Sequence, residues 1–178
     1  VIAEYTRPAR VVRDRRVETV PAMTDLHTID ANGRVMEAFL TDGLRSLIEL
    51  PATTMGEYTV RWPGHIQRYQ ATNLNPDELV SAWAFDPQRP EFTWMEVRVR
   101  ANDETRVWTV EDAGKDGDSS MARTTGLVTV ACVMAWSKND LFTSGVHAPE
   151  HLPSNVIHDV IQTLRDHGVS VESTGQRN

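Results

Sequence analysis

The stretch 92–111 constrains this chain more than any other part of it. Met95, Val97 and Val99 alternate with Glu96, Arg98 and Arg100, and after Asn102-Asp103-Glu104 the chain returns along 106–111. Period-two alternation puts the apolar set on one face of a strand, and so short a polar turn can join that strand only to an antiparallel neighbour. The sequence therefore predicts a hairpin here. A shorter one is expected at 10–20 around Asp14-Arg15, ended by Pro21. An extended piece at 25–29, the turn Asp30-Ala31-Asn32-Gly33 and a strand at 35–40 follow. Strands joined by turns this tight cannot build a parallel sheet, which needs long crossovers.

Helical signals interleave with these strands. Thr41-Asp42 reads as a helix start, and Leu44, Leu47 and Ile48 keep helical spacing until Pro51. Residues 57–62 alternate as a strand, and Pro63 then stands at a favoured first helical position for a helix through Tyr69. Asn75-Pro76-Asp77-Glu78 starts another, with Leu79, Val80 and Trp83 as its apolar side. Ser119 or Ser120 caps a long helix to about Ser137. From 127 to 136 it is apolar around its whole circumference, which predicts a central buried helix. A last helix at 154–167 ends at Gly168, followed by the short strand Val169-Ser170-Val171 and a polar tail of the kind that frays. The fold class expected is α+β: a mixed, largely antiparallel sheet with helices packed on one face, in one domain over 1–178.

Charge and cysteine usage narrow the partners. A net charge of −7 opposes nucleic-acid binding, which needs a basic face. Cys132 is the only cysteine, so no internal disulfide forms, and a cytoplasmic location is the expectation. No apolar run is long enough to cross a bilayer, so no membrane is expected. Apart from Lys115 and Lys138 every basic side chain is an arginine, whose planar fork grips carboxylates. The opening Val1-Ile2-Ala3-Glu4-Tyr5 lies in mid-pattern without an initiator methionine and reads as cut from a longer chain.

Three places could carry chemistry. In Arg61-Trp62-Pro63-Gly64-His65 a strand ends in an arginine and a helix follows. Free N–H groups at such a start favour anions, Gly64 admits a ligand to the backbone, and Arg61 can hold a carboxylate bidentately. The competing reading is a packed tryptophan in a strand-to-helix turn with a surface arginine. Arg123 occupies the first turn of the long helix, where a cation opposes the dipole and calls for an anion. That anion is either a ligand, with Thr124 and Thr125 adding hydroxyl donors, or an internal carboxylate. Asp42 is either a helix cap or a receptor for an ammonium group. His65, in a first helical turn that disfavours its charged form, suits a neutral acid–base role. His147, Glu150 and His151 form a loose set without metal-ligand spacing, so a solvated loop and no metal are expected. No G-x-G-x-x-G fingerprint occurs.

Five blocks in order, 4–9, 37–45, 57–65, 121–126 and 145–150, resemble segments of the C-terminal domain of the saccharopine dehydrogenase family, nearest its lysine 6-dehydrogenase-like branch. The resemblance spans roughly residues 2–171. Trp62 stands where a tyrosine is usual, Ala3 where asparagine often precedes Glu-Tyr, and 71–90 does not match closely. What the resemblance implies is a fold similar to that domain in saccharopine reductase and in glyceraldehyde-3-phosphate dehydrogenase-like enzymes. It implies the substrate-side half of an oxidoreductase acting on C–N bonds of lysine or a lysine-derived amine. NAD or NADP would be bound mainly by a separate Rossmann domain, so that this chain alone is inactive. It implies an amino-acid substrate and a homodimer formed through the sheet. Within that frame Arg61 and Arg123 clamp carboxylates at one shared cavity. Gly64, Thr124 and Tyr5 complete the substrate contacts, Asp42 binds ammonium, and His65 relays protons. The alternatives are an oligomerisation or scaffold domain without dehydrogenase activity, and a carboxynorspermidine-type dehydrogenase.

Overall fold

A computed structural model describes residues 2–73, 75–84, 86, 88, 90–139 and 145–177. Val1 and Asn178 lie outside the described residues. The fold is α+β with antiparallel sheets, as the turns required. The chain comprises two compact units, Val1–Phe85 and Asp86–Asn178, and its described strands lie in three sheets where a single sheet was expected.

The first unit begins with α1 (Ile2–Thr6) and the hairpin β1 (Ala9–Arg13) and β2 (Arg16–Val20). Asp14 and Arg15 both take positive φ, 48° and 64°, the mirror-type turn whose twist matches that of the strands it joins. A three-stranded antiparallel sheet follows, in the order β3 (His27–Asp30), β4 (Val35–Thr41), β5 (Glu57–Arg61). Between β4 and β5 the expected helix at 43–50 is only a 3-10 turn, Arg45–Glu49, stopped before Pro51. Asp42 does not cap it: the N-cap residue is Leu44, with no side-chain cap bond.

The register of β4 against β5 decides what the unit can do. Glu37 pairs with Arg61, Phe39 with Thr59 and Thr41 with Glu57. Because side chains alternate, these six share one face of the sheet. The opposite face presents Leu40, which packs with Ala9, Val11 and Val20 of the β1–β2 hairpin. On the polar face Phe39 packs with Tyr5 of α1 and Ile66 of α2 (His65–Ala71), all three at most 1% exposed. Helix α3 (Pro76–Ala82) starts at Asn75 with a complete capping box, Asn75 accepting from Glu78 N–H while Glu78 accepts from Asn75 N–H.

In the second unit β6 (Phe92–Ala101) and β7 (Glu104–Ala113) form the long hairpin, with Asn102 at positive φ in its turn. Helices α4 (Ser120–Asn139) and α5 (Ser154–Asp166) pack on one face of the sheet, and β8 (Ser170–Arg177) completes it against β7. Two expectations are corrected here. The tail from Ser173 does not fray but continues β8, because a ten-residue β7 offers backbone donors and acceptors along its whole edge whatever the incoming side chains. Nor is α4 buried all round. Ala131 and Ala135 are buried, but Val130, Val133 and Trp136 are each more than half exposed. Two helices side by side on three strands cover one stripe of each, so apolarity around the circumference does not by itself produce burial.

Candidate functional site

Tyr5 sits at the centre of the first unit's chemistry. Its ring stacks on Tyr69, with centroids 4.5 Å apart, and on Phe39 and His65. Trp83 lies edge-on to Tyr5 and 4.5 Å from the His65 ring. The Tyr5 hydroxyl reaches His65 Nδ1 at 2.9 Å and accepts from Arg61 Nε at 3.0 Å. With the guanidinium N–H directed at the phenolic oxygen, the hydroxyl proton is left for His65 Nδ1, and the neutral imidazole then carries its hydrogen on Nε2. Burial among the rings, then the Arg61 and Arg68 charges, lower the His65 pKa, while Glu37 opposes them weakly. Burial raises that of Tyr5 against the pull of Arg61.

Arg61 is held on all sides. Its Nη1 donates to Val60 O at 2.9 Å, and its Nη2 forms an ion pair with Glu4 Oε2. Glu37, directly across the sheet from Arg61, keeps Oε2 buried without a hydrogen-bond partner among the described residues. Gly64 adopts φ 80° as the N-cap residue of α2, a left-handed conformation in which glycine carries no steric cost. Helix α2 begins at His65, so Pro63 lies in the preceding turn and not at the first helical position. Trp62 is 56% exposed, which excludes the packed-tryptophan reading of that turn.

On the same unit a pocket of about 130 Å³ opens among Glu4, Arg7, Asp42, Gly43 and Glu57. Asp42 is neutralised within it: Arg10 Nε and Nη2 donate to its two oxygens at 2.7 and 3.3 Å, the Arg10 N–H adds a third bond, and Arg45 stands at 3.8 Å. The Arg10 hydrogen bonds hold the Asp42 carboxyl below the ordinary carboxylate range. Glu57 Oε2 accepts from the buried Thr41 hydroxyl and, at 3.1 Å, from Gly43 N–H.

Arg123 belongs to the second unit. Its Nε and Nη2 donate to Asp112 at 3.0 and 3.3 Å, with side chains only 14% and 4% exposed, and Nη2 also donates to His167 O at 3.0 Å. Of the two anions foreseen for Arg123, the internal carboxylate is the one present. Ser119 Oγ accepts from Ala122 N–H and caps α4, and Thr124 returns its hydroxyl to the Ser120 and Met121 carbonyls. Within the first unit the structure thus brings Tyr5, Arg61, Gly64 and His65 together, with Asp42 on the adjoining pocket, while Arg123 and Thr124 belong to the second unit. Among the described residues no group of three or more His, Cys, Asp or Glu could hold a metal ion. Among the described residues no helix is long and apolar enough to cross a membrane.

Glu4, Arg7, Glu37 and Glu57 were not singled out by sequence. The available signal was alternation: Glu37, Phe39 and Thr41 on one strand, Glu57, Thr59 and Arg61 on the next, two polar–apolar runs that a single register places on one face. Neither a protein-family model nor a curated protein matches this chain. A dinucleotide does not fit the residues present. Among the described residues every strand pairing is antiparallel, and no glycine-rich strand–turn–helix offers N–H groups to a pyrophosphate.

Proposed function

We propose that this chain is the substrate-side domain of an NAD(P)-dependent oxidoreductase acting on a C–N bond of an amino acid of the lysine type, with the nucleotide held by another domain. The observation that carries this reading is the part-buried Arg61–Tyr5–His65 hydrogen-bond chain, joined through Glu4 to a small charged pocket. As hydride leaves the carbon for the nicotinamide and the C=N bond forms, the nitrogen gives up a proton, which requires a group that takes it up. A neutral imidazole accepting from Tyr5 is poised for that: a proton arriving at the Tyr5 oxygen is matched by passage of the hydroxyl proton to Nδ1. The lowered pKa keeps His65 able to accept at neutral pH, and the raised pKa keeps Tyr5 protonated until that step. Arg61 fixes the hydroxyl from the other side. The test is lysine-dependent NAD(P)H formation once a nucleotide-binding domain is supplied. His65→Ala and Tyr5→Phe should each lower kcat by about 10²–10⁴-fold. Unchanged turnover in both removes the relay, and unchanged turnover in Arg61→Ala removes Arg61 from the site.

A second reading, a scaffold or oligomerisation domain, is favoured by one specific observation. Both arginines at helix entrances already hold carboxylates of their own unit, Glu4 and Asp112. A stable oligomer with no amine-dependent hydride transfer in the joined protein would select it.

A further inference from the structure

The pocket contains a charge imbalance that the ion pairs around it leave in place. Asp42 is answered by Arg10 and Arg45, and Glu4 by Arg61. Two groups remain. Arg7 belongs to the pocket wall and is exposed, and its guanidinium makes no hydrogen bond or ion pair among the described residues. Among the described residues the carboxylate of Glu57 has no cationic partner, and its Oε1 accepts no hydrogen bond. One positive and one negative side chain therefore line the same small cavity without pairing to each other.

Glu57 is also held in place. Thr41, itself fixed by Thr59 at 2.8 Å, and the Gly43 amide both bind Oε2, which leaves Oε1 as the free oxygen. This grip exists because position 43 lacks a side chain: a Cβ there would lie 2.5 Å from Glu57 Cδ and Oε2. A simple anion would satisfy Arg7 and be repelled by Glu57; a simple cation would meet the reverse. A ligand with an ammonium and a carboxylate on adjacent atoms satisfies both at once. The size agrees, since about 130 Å³ is small against the roughly 300–1,000 Å³ of sites that enclose whole ligands, and suits a head group with its side chain outside.

We propose that Arg7 and Glu57, with Gly43 as the residue that lets Glu57 in, form a receptor for the zwitterionic head of an α-amino acid, Arg7 taking the carboxylate and Glu57 the ammonium. The proposal rests on the reading that this domain receives an amino acid, but it concerns binding alone and needs no cofactor. It moves head-group recognition away from Arg61 and Asp42, both already paired.

Calorimetric titration of the chain with four compounds tests it: L-lysine, L-norleucine, 1,5-diaminopentane (lysine without its carboxylate) and 6-aminohexanoate (lysine without its α-ammonium). L-Lysine and L-norleucine should bind with similar affinity, and each truncated compound at least about tenfold more weakly. Arg7→Ala should remove the preference for lysine over 1,5-diaminopentane. Glu57→Gln should remove the preference over 6-aminohexanoate, and Gly43→Ala should do the same by displacing the carboxylate. All three positions are at least partly exposed, and an unchanged circular dichroism spectrum confirms folding. No binding by any compound, equal binding by lysine and its truncations, or unchanged lysine affinity in folded Arg7→Ala overturns the proposal. The two readings fail separately. Arg7-dependent lysine binding without hydride transfer sinks the dehydrogenase and keeps the receptor. Hydride transfer indifferent to Arg7→Ala and Glu57→Gln sinks the receptor and keeps the dehydrogenase.

Discussion

Arg61 and Arg123 look alike in sequence, each an arginine at the entrance to a helix, yet the two units use them differently. Arg123 meets Asp112 through two parallel hydrogen bonds in nearly complete burial and adds a bond to the carbonyl of His167, so it ties β7, α4 and the end of α5 together. Nothing about that cluster is left over for a ligand. Each Arg61 nitrogen is also engaged, but its partners lead on: Tyr5 passes the contact to His65, and Glu4 lines a pocket where Arg7 and Glu57 are unpaired among the described residues. The difference teaches that the presence of an arginine at a helix start says little. What matters is whether the charges around it cancel.

That contrast can be broken most forcefully in the second unit. Asp112→Ala should lower Tm by roughly ten degrees, because it strands a desolvated guanidinium. The double change Arg123→Met with Asp112→Leu should recover most of the loss, as paired removal leaves no lone charge. If Asp112→Ala melts like the parent in a thermal scan, the picture of Arg123 as a strut is wrong. Next in size is Tyr5→Phe, which leaves His65 Nδ1 and Arg61 Nε without their shared oxygen and should cost about 1–3 kcal/mol by urea denaturation. A null effect would mean that the hydrogen-bond chain adds nothing to the first unit.

The pH response sharpens the comparison further. His65 should titrate below the ordinary histidine value of about 6.5 when followed by NMR. Its pKa is lower folded than unfolded, so the unfolded chain binds the proton first. The stability it contributes is full above about pH 6.5 and is lost as pH falls from there through the folded value. A midpoint above that of a free histidine would overturn the account. The smallest effect belongs to Asp42. Its depressed pKa means stability present above the ordinary carboxyl value of about 3.9 and lost as pH falls through the folded one. With Arg10 partly in solvent, Asp42→Asn should cost no more than about 1 kcal/mol at neutral pH in the same urea assay.

The hairpins were legible from the sequence because their information is local: the turn residues Asp14-Arg15 between short runs, and Asn102-Asp103 between longer alternating ones. The start of α3 was legible for the same reason, since its cap and the responding Glu78 lie three residues apart. Tyr5 and His65, by contrast, are separated by 60 positions and meet only because the two helices that carry them pack on the same face of β4, around Phe39. Asp42 misled because a cap signal and a cross-sheet ion pair use the same side chain, and only the position of Arg10 on β1 decides between them. The breadth of α4's exposure could not be read at all, since burial depends on how many neighbours a helix has and not on its own composition.

That exposure gives the molecule a built-in optical probe. An indole half in water emits at longer wavelength and is reached by acrylamide, so Trp136, 52% exposed on α4, reports on whatever settles against that helix. A blue shift and loss of quenching that vanish in Trp136→Phe would mark the moment at which the helix becomes covered, whether by a second copy or by another domain.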